Sequence, residues 1–134
     1  MASIKELKGI EEKQIALLAE QNIKSVSALL DKACDKPGRK ALAASTGIEE
    51  ATLLQWANMA DLFRIKGVAT QYANLLEAAG VDTVKELRNR NADNLAEKMA
   101  EVNAAEKHAQ QLPSAKMVAE WVAQAKELPP KMTY

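Results

Sequence analysis

The chain has 134 residues, of which 48% are hydrophobic and 27% charged, and its 18 basic residues balance 18 acidic ones. This composition excludes a disordered chain, the single cysteine excludes an internal disulfide and a cysteine-rich zinc site, and the neutral balance excludes a global field that would attract nucleic acid or anionic lipid. We expect one compact domain over residues 1–134, located in the cytoplasm because neither a signal peptide nor an apolar run of the ~18 residues of a membrane helix is visible.

Helices are predicted to carry the whole fold. Aromatic residues make up only 4% of the chain and no alternating run of branched residues persists, whereas Ala, Leu, Glu, Lys and Gln are abundant. The pattern predicts an all-α fold of eight or so short helices, with Trp56 and Trp121 in the core. Three stretches have apolar residues at helical spacing: Val68, Tyr72, Leu75, Leu76 and Ala79; Leu95, Met99 and Val102; and Val118, Trp121, Val122 and Ala125.

Turn and capping residues predict where these helices begin and end. Asp35-Lys36-Pro37-Gly38 is typical of a turn, and Leu128-Pro129-Pro130 is unable to continue a helix. Gly80 can close a helix in the left-handed conformation, and Thr83 followed by Glu86 has the spacing of a capping box. Further candidates for helix N-caps are Asp61, Asp93 and Ser114.

An internal repeat, at approximately 7–30 and 65–88, is the most informative pattern. Leu7-Lys8-Gly9-Ile10 and Ile65-Lys66-Gly67-Val68 lie 58 positions apart, and the register continues without a gap. A middle Gly-apolar pair, at 47–48, precedes two glutamates just as Gly9-Ile10 does. We call these turns the Gly9, Gly47 and Gly67 hairpins. Paired positions keep their chemistry: Leu17-Leu18 with Leu75-Leu76, Asn22 with Gly80, Ile23 with Val81, Ser25 with Thr83, Val26 with Val84, and Leu29 with Leu87.

The segment from Ile65-Lys66-Gly67-Val68 to Glu86-Leu87 resembles a helix-hairpin-helix motif. Tandem motifs of this type, with residues 42–48 and 58–62 between them, resemble an uncharacterised bacterial family catalogued only as a domain of unknown function. The resemblance runs over nearly the whole chain, including Leu112-Pro113-Ser114 and Trp121-Val122. It implies a compact single domain of short helices built from tandem helix-hairpin-helix units.

For the wider helix-hairpin-helix group, the resemblance implies sequence-independent binding of double-stranded DNA, in which hairpin amides and a helix N-terminus meet a backbone phosphate. The second glycine of the group's Gly-apolar-Gly hairpin is missing here, and Glu11, Glu49 and Ala69 hold its place. A glutamate occupies the position where a phosphate would bind, so the Gly9 and Gly47 hairpins are poor candidates. The expected contact residues are therefore Arg64, Lys66, Gly67, Val68 and Ala69.

An alternative function is a protein–protein interaction or adaptor module without nucleic-acid binding. The neutral charge and the hairpin glutamates favour a protein partner, or a second copy of the chain. Tyr72, which is aromatic where Gln14 stands in the first copy, is a candidate edge contact for such a partner. An exposed apolar patch of roughly several hundred Å² would favour the alternative, and a uniformly polar surface would argue against it.

An enzyme is not expected. Val81-Asp82-Thr83-Val84 resembles part of the loop that carries the catalytic aspartate of helix-hairpin-helix DNA glycosylases, but the histidine expected after the threonine is missing. His108, the single histidine, is expected on an exposed helix face, and Cys34 is expected near a helix end without a partner base. We therefore expect no catalytic residue, metal, cofactor, small-molecule substrate or membrane partner.

Overall fold

The computed structural model describes residues 2–134, which form eight α-helices, a short 3-10 helix at Ile4–Glu6 and no β-strand. The prediction of an all-α fold with eight or so short helices is confirmed. The last helix ends at Glu127, directly before Leu128-Pro129-Pro130, as predicted. The helices are α1 Glu12–Glu20, α2 Val26–Ala33, α3 Lys36–Thr46, α4 Glu50–Leu62, α5 Thr70–Ala78, α6 Val84–Arg88, α7 Ala92–Ala105 and α8 Ala115–Glu127.

The chain divides into two compact units. The first unit runs up to Asp61 and takes in Lys131–Tyr134, and the second unit is Leu62–Pro130. The boundary falls at the end of α4, directly before the segment that contains the Gly67 hairpin. Each unit therefore has two left-handed glycines, Gly9 and Gly47 in the first and Gly67 and Gly80 in the second, and its own set of packed helices.

In the first unit, helix α2 packs against α3, and apolar side chains of every helix form the core. The indole of Trp56 is 4% exposed and donates from Nε1 to the carbonyl of Lys8 at 3.3 Å, which confirms this tryptophan as a core residue. Because the indole N–H has a partner, the burial of this side chain leaves no polar group unpaired. The core residues of this unit include Ile4, Leu18, Ile23, Leu29, Leu42 and Leu53.

Residues 35–38 begin helix α3, so the prediction of a turn there is wrong. Asp35 is the N-cap, and its carboxylate accepts a hydrogen bond from the Gly38 N–H at 2.8 Å. Pro37 lies in the first turn of the helix, where its missing N–H has no intrahelical acceptor to lose. Asp and Pro are common both in turns and in the first turn of a helix, and here the helix continues after them to Thr46.

In the second unit, helix α8 packs against both α6 and α7, and α5 packs against α7. Thr83 accepts from the N–H of Glu86 at 3.2 Å, and Ser114 accepts from that of Met117 at 3.1 Å, so both predicted N-caps are confirmed. Asp61 and Asp93 are wrong as N-caps, because they lie within α4 and α7. The core of this unit includes Leu75, Leu76, Leu87, Leu95, Met99, Val118, Trp121 and Val122.

Helices α1 and α5 end in the same way. Asn22, at φ 62°, and Gly80, at φ 95°, adopt the left-handed conformation, as predicted from their pairing in the sequence. In each case the next residue is buried and donates its N–H back into the helix: Ile23 to Leu18 at 3.0 Å, and Val81 to Leu76 at 2.9 Å. These bonds satisfy carbonyls that the helix ends leave free.

Candidate nucleic-acid interface

The three glycine hairpins share one backbone pattern. The glycines have φ angles of +81°, +78° and +94°, in the left-handed region that side chains disfavour. Each is followed by an apolar residue, and a helix begins three residues after each glycine, at Glu12, Glu50 and Thr70. Each hairpin therefore leads directly into the N-terminus of a helix, α1, α4 or α5, where the first backbone amides have no acceptor within the helix.

The Gly67 hairpin is fixed to helix α8 of its own unit. The side-chain amide of Gln124 bonds both backbone groups of Lys66, accepting from its N–H at 2.8 Å and donating to its carbonyl at 3.1 Å. Gly67 passes so close to Trp121 that a Cβ at this position would lie 3.1 Å from the indole Nε1. The rings of Tyr72 and Trp121 are in contact as well, with centroids 5.3 Å apart. Packing thus holds the turn in one conformation.

Two backbone amides of the Gly67 hairpin stay open. The Val68 N–H donates within the turn to the carbonyl of Ile65 at 3.2 Å. Within residues 2–134, the N–H groups of Gly67 and Ala69 have no acceptor, and both residues are exposed. Ala69 is the N-cap of α5 and offers no side chain to cap the helix. Together with the exposed Lys66, these amides make an N-terminus suited to an anion.

The Gly9 hairpin is closed where the Gly67 hairpin is open. Glu11, at the position of Ala69, donates its N–H to Oε1 of Gln14 at 2.9 Å, and its carboxylate accepts from the Gln14 N–H in a reciprocal capping box. Tyr72 stands at the position of Gln14 in the second unit, and its phenol ring contacts Trp121 at an interplanar angle of 50° instead of capping the helix. The capping pair therefore occupies the N-cap amide of the Gly9 hairpin, whereas the N–H of Gly9, like that of Gly67, has no acceptor within residues 2–134.

The Gly47 hairpin closes α3 and opens α4. The Gly47 N–H donates to the carbonyl of Ala43 at 2.8 Å, and the Ile48 N–H donates to the hydroxyl of Thr46 at 3.2 Å. Glu49 follows as the exposed residue at the start of α4, with a carboxylate that opposes an incoming phosphate. Of the three hairpins, only the one at Gly67 has no carboxylate in the N-cap position.

Arg64 has a structural contact. Its Nη2 donates to the carbonyl of Pro129 at 2.7 Å, and the side chain is half-buried. Val68 is buried, and of the five predicted contact residues only Lys66, Gly67 and Ala69 are exposed. The contact between Gln124 and Lys66 was not predicted from the sequence. Gln124 lies 58 residues after Lys66 in another helix, and no local pattern marks it.

The remaining chemistry-bearing residues lie apart from this hairpin. The prediction that His108 lies on an exposed helix face is wrong. His108 lies in the loop after α7, where its side chain is 16% exposed and its backbone N–H donates to Oδ1 of Asn103 at 2.8 Å. Cys34 is the C-cap of α2, near a helix end as expected. Among residues 2–134, no group of three His, Cys, Asp or Glu side chains is arranged to hold a metal ion. Over the same residues, no helix is long and apolar enough to cross a membrane.

Comparisons with known proteins give a family. No curated protein matches the chain, and no solved structure matches it either. The family model described as Domain of unknown function (DUF4332) matches residues 8–128, a span that takes in all three hairpins and all eight helices. The chain therefore belongs to the DUF4332 family, as its resemblance to a domain of unknown function predicted.

Proposed function

We propose that this protein is a non-catalytic DNA-binding protein, which grips the backbone of double-stranded DNA at the Gly67 hairpin without reading bases. The observation that carries the proposal is the pair of exposed, acceptor-free amides at Gly67 and Ala69 beside Lys66. In this proposal the two units are tandem helix-hairpin-helix repeats, and the protein works in the cytoplasm, where the Cys34 thiol stays reduced.

The hairpin offers a phosphate three favourable terms. Two exposed residues have N–H groups without an internal acceptor, they lie at the positive end of the α5 dipole, and the Lys66 ammonium supplies a full charge. Gln124 and Trp121 already hold the backbone in place, so binding orders few additional groups. These contacts discriminate no base, because phosphates are the same at every step of the duplex.

The neutral charge sets the expected strength of binding. Each of the two units carries equal numbers of basic and acidic residues, so long-range attraction to DNA is small. Binding at one hairpin then involves few phosphates, and a shallow dependence of affinity on salt follows. We expect micromolar affinity at low salt, within the range of roughly 10⁻⁴–10⁻⁶ M that non-specific binding gives.

A protein-interaction or adaptor role is the alternative function. The neutral charge of the protein suits a protein partner, but the surface of residues 2–134 has no cluster of large exposed apolar side chains that would form a docking face. Within residues 2–134, the exposed large hydrophobic side chains are Leu112, 47% exposed in the second unit, and Tyr134, 65% exposed in the first. Isolated apolar residues are normal on a monomer surface, so this observation favours DNA binding over the alternative.

The test compares the same substitution in two hairpins. Lys66→Glu places a carboxylate beside the open amides of Gly67 and Ala69, and Lys8→Glu makes the same change at the closed Gly9 hairpin. We expect Lys66→Glu to weaken duplex binding by roughly tenfold, since one charge-assisted hydrogen bond contributes about 1.5 kcal/mol. Fluorescence anisotropy with a 20-base-pair duplex at several salt concentrations measures this.

The Lys8→Glu variant is the control, because it changes the net charge by the same amount. Its affinity should stay within about twofold of the wild type, and its salt dependence should be unchanged. Equal losses in the two variants would mean that total charge governs binding and that the Gly67 hairpin has no special role. No binding by the wild-type protein at low salt would refute the proposed function itself.

A further inference from the structure

A polar cleft lies in the second unit, between the first turn of α5 and the loop that joins α7 to α8. It has a volume of ≈ 350 Å³ and is lined by Gln71, Lys107, His108, Ala109 and Gln110. Gln71 is the second residue of α5, only two positions after Ala69 of the Gly67 hairpin. The cleft and the hairpin therefore share the same end of helix α5.

The loop that forms this cleft is held by specific hydrogen bonds. The side chain of Asn103 accepts from the N–H groups of His108 at 2.8 Å and Ala109 at 3.0 Å, and donates to the Ala109 carbonyl at 3.1 Å. The Gln110 N–H donates to Oε1 of Gln71 at 3.2 Å, which fastens the loop to α5. Since Ala109 is 1% exposed, the loop also has an anchor in the core.

The lining is cationic and rich in hydrogen-bond donors. Lys107 is exposed, and no carboxylate lines the cleft. Nε2 of His108 is buried and has no hydrogen-bond partner among the described residues. The nearest acidic group is Glu106, whose side chain is 75% exposed and whose Oε2 lies 3.4 Å from that nitrogen. Glu106 therefore lowers the positive potential beside His108 without closing the cleft.

The first unit has a corresponding cleft with the opposite character. It lies between the start of α1 and the Gly47 hairpin, and its lining includes Glu11, Glu49 and Lys13. Lys13 and Gln71 are 58 positions apart, so each cleft borders the same turn of its hairpin helix. Two carboxylates outnumber the single lysine in the first cleft and disfavour an anion, whereas the second cleft has a lysine and no carboxylate in its lining.

We propose that the cleft of Gln71, Lys107 and His108 binds a second backbone phosphate, from the same DNA that the Gly67 hairpin holds. The inference rests on the proposed function and extends it, because it assigns the 107–110 loop to the DNA contact. Lys107 supplies the charge, and Gln71 and Gln110 supply amide donors. The contact adds one phosphate to the interface and therefore steepens the dependence of affinity on salt.

Three substitutions test the cleft in the full chain. Lys107→Gln should weaken duplex binding by roughly fivefold and lower the salt slope by about one, as expected for the loss of one phosphate contact. Glu106→Gln should strengthen binding by about twofold, since it removes the one carboxylate beside His108. Lys13→Gln is the matched control in the first unit, and its affinity should stay within about twofold of the wild type. Anisotropy with the 20-base-pair duplex measures all three.

The outcomes separate this inference from the proposed function. If Lys66→Glu weakens binding while Lys107→Gln behaves like Lys13→Gln, the hairpin binds DNA and the cleft proposal is overturned. A second measurement follows amide NMR signals of residues 107–110 as inorganic phosphate is added. Saturable shifts that disappear in Lys107→Gln support the cleft even if the hairpin variant has no effect, and unshifted signals overturn it. A wild-type protein that binds phosphate in the cleft but no duplex overturns the assignment to DNA.

Discussion

At the scale of single residues, the N-cap decides whether the backbone amide at the start of a hairpin helix is bonded internally. Glu11 and Gln14 satisfy each other's backbone groups and leave the Gly9 hairpin no free donor at the cap. Ala69 has no side-chain oxygen, and Tyr72 points to Trp121, so the corresponding amide in the second unit stays available. The two hairpin helices therefore differ at their start because Ala69 and Tyr72 stand where the first unit has Glu11 and Gln14.

Ala69→Glu should convert the Gly67 hairpin toward the closed type. A carboxylate at this N-cap can accept from the first-turn amides of α5 and repels a phosphate, so we expect duplex affinity to fall at least about tenfold while stability stays within about 0.5 kcal/mol. Anisotropy and thermal unfolding measure the two quantities. The reciprocal change, Glu11→Ala, serves as the control: it should lower stability by about 1 kcal/mol without weakening DNA binding, since it removes a carboxylate from the Gly9 hairpin. Undiminished binding by Ala69→Glu would show that the phosphate lies elsewhere.

Gly67→Ala should destabilise the protein more than Gly9→Ala. Both positions have a left-handed φ, which costs an L residue about 1–2 kcal/mol. A Cβ at Gly9 meets nothing within 4 Å, whereas at Gly67 it would lie 3.1 Å from Nε1 of Trp121. Since the indole is packed in the core, we expect an additional cost of about 1 kcal/mol at Gly67. Urea unfolding of the two variants provides the comparison, and equal losses would contradict a tight contact with Trp121.

At the scale of elements, local sequence patterns predicted the helix ends correctly where the residue type fits only one position, such as an N-cap or a left-handed C-terminal residue. The caps at Thr83 and Ser114 and the left-handed residues Asn22 and Gly80 follow directly from side-chain chemistry. Residues 35–38 were misassigned because Asp and Pro suit a helix start as well as a turn, and only the packing of α3 on α2 decides between them. The sequence predicted a glycine turn at Gly67, but it did not indicate that Val68 is buried or that Arg64 donates to the Pro129 carbonyl.

The side-chain hydrogen bonds that hold the helix ends and loops in place could not be predicted, because they join residues that are distant in sequence. The end of α8 illustrates this: Nη2 of Arg88, in α6, donates to the carbonyls of Ala125 and Leu128. The charge pattern around Arg88 carries no information on which backbone carbonyl lies within reach of its guanidinium. The same limit applies to Asn103, whose side chain shapes the 107–110 loop.

Arg88→Ala should lower stability by about 2 kcal/mol. The substitution removes charge-assisted bonds to two carbonyls at the end of α8, and each such bond contributes about 1.5–3 kcal/mol before water replaces part of it. Lys85→Ala is the control, because Lys85 is exposed on the same helix and its loss should change stability by less than about 0.5 kcal/mol. Chemical denaturation measures both variants. Equal stability of the two would mean that water caps α8 as well as the guanidinium does.

At the scale of the whole molecule, the positive charge is divided between two uses. The chain has four arginines, Arg39, Arg64, Arg88 and Arg90, and all four donate to backbone carbonyls. The other basic residues are lysines, which are exposed where they belong to the proposed DNA contacts. Arginine therefore holds the fold, and the exposed positive charge of both units is carried by lysines, of which Lys66 and Lys107 lie at the proposed phosphate contacts. A neutral protein can then bind DNA locally without a global field.

The first unit shows the strongest case of this arginine use. Arg39 is only 4% exposed, and its guanidinium donates to the carbonyl of Ala33 at 2.9 Å and to that of Thr133 at 2.8 Å. Lys131 pairs with Asp31, and the Thr133 N–H donates to the carbonyl of Cys34 at 2.8 Å. The buried guanidinium of Arg39, the Lys131–Asp31 pair and the backbone bond of Thr133 thus together tie residues 131–134 to the end of α2.

Arg39→Met should lower stability by about 2–4 kcal/mol, because an unbranched apolar side chain replaces the aliphatic stem of arginine but leaves two carbonyls without their charged donor. The loss should extend to Thr133, whose amide is expected to exchange with solvent at least about tenfold faster once the guanidinium no longer holds its carbonyl. Hydrogen exchange followed by NMR measures this site directly. Lys40→Met is the matched control, since Lys40 is the exposed neighbour on α3 and its replacement should leave Thr133 protected. If Thr133 keeps its protection in Arg39→Met, the bond to the Cys34 carbonyl and the buried Met132 are enough to hold the segment, and Arg39 serves the end of α2 alone.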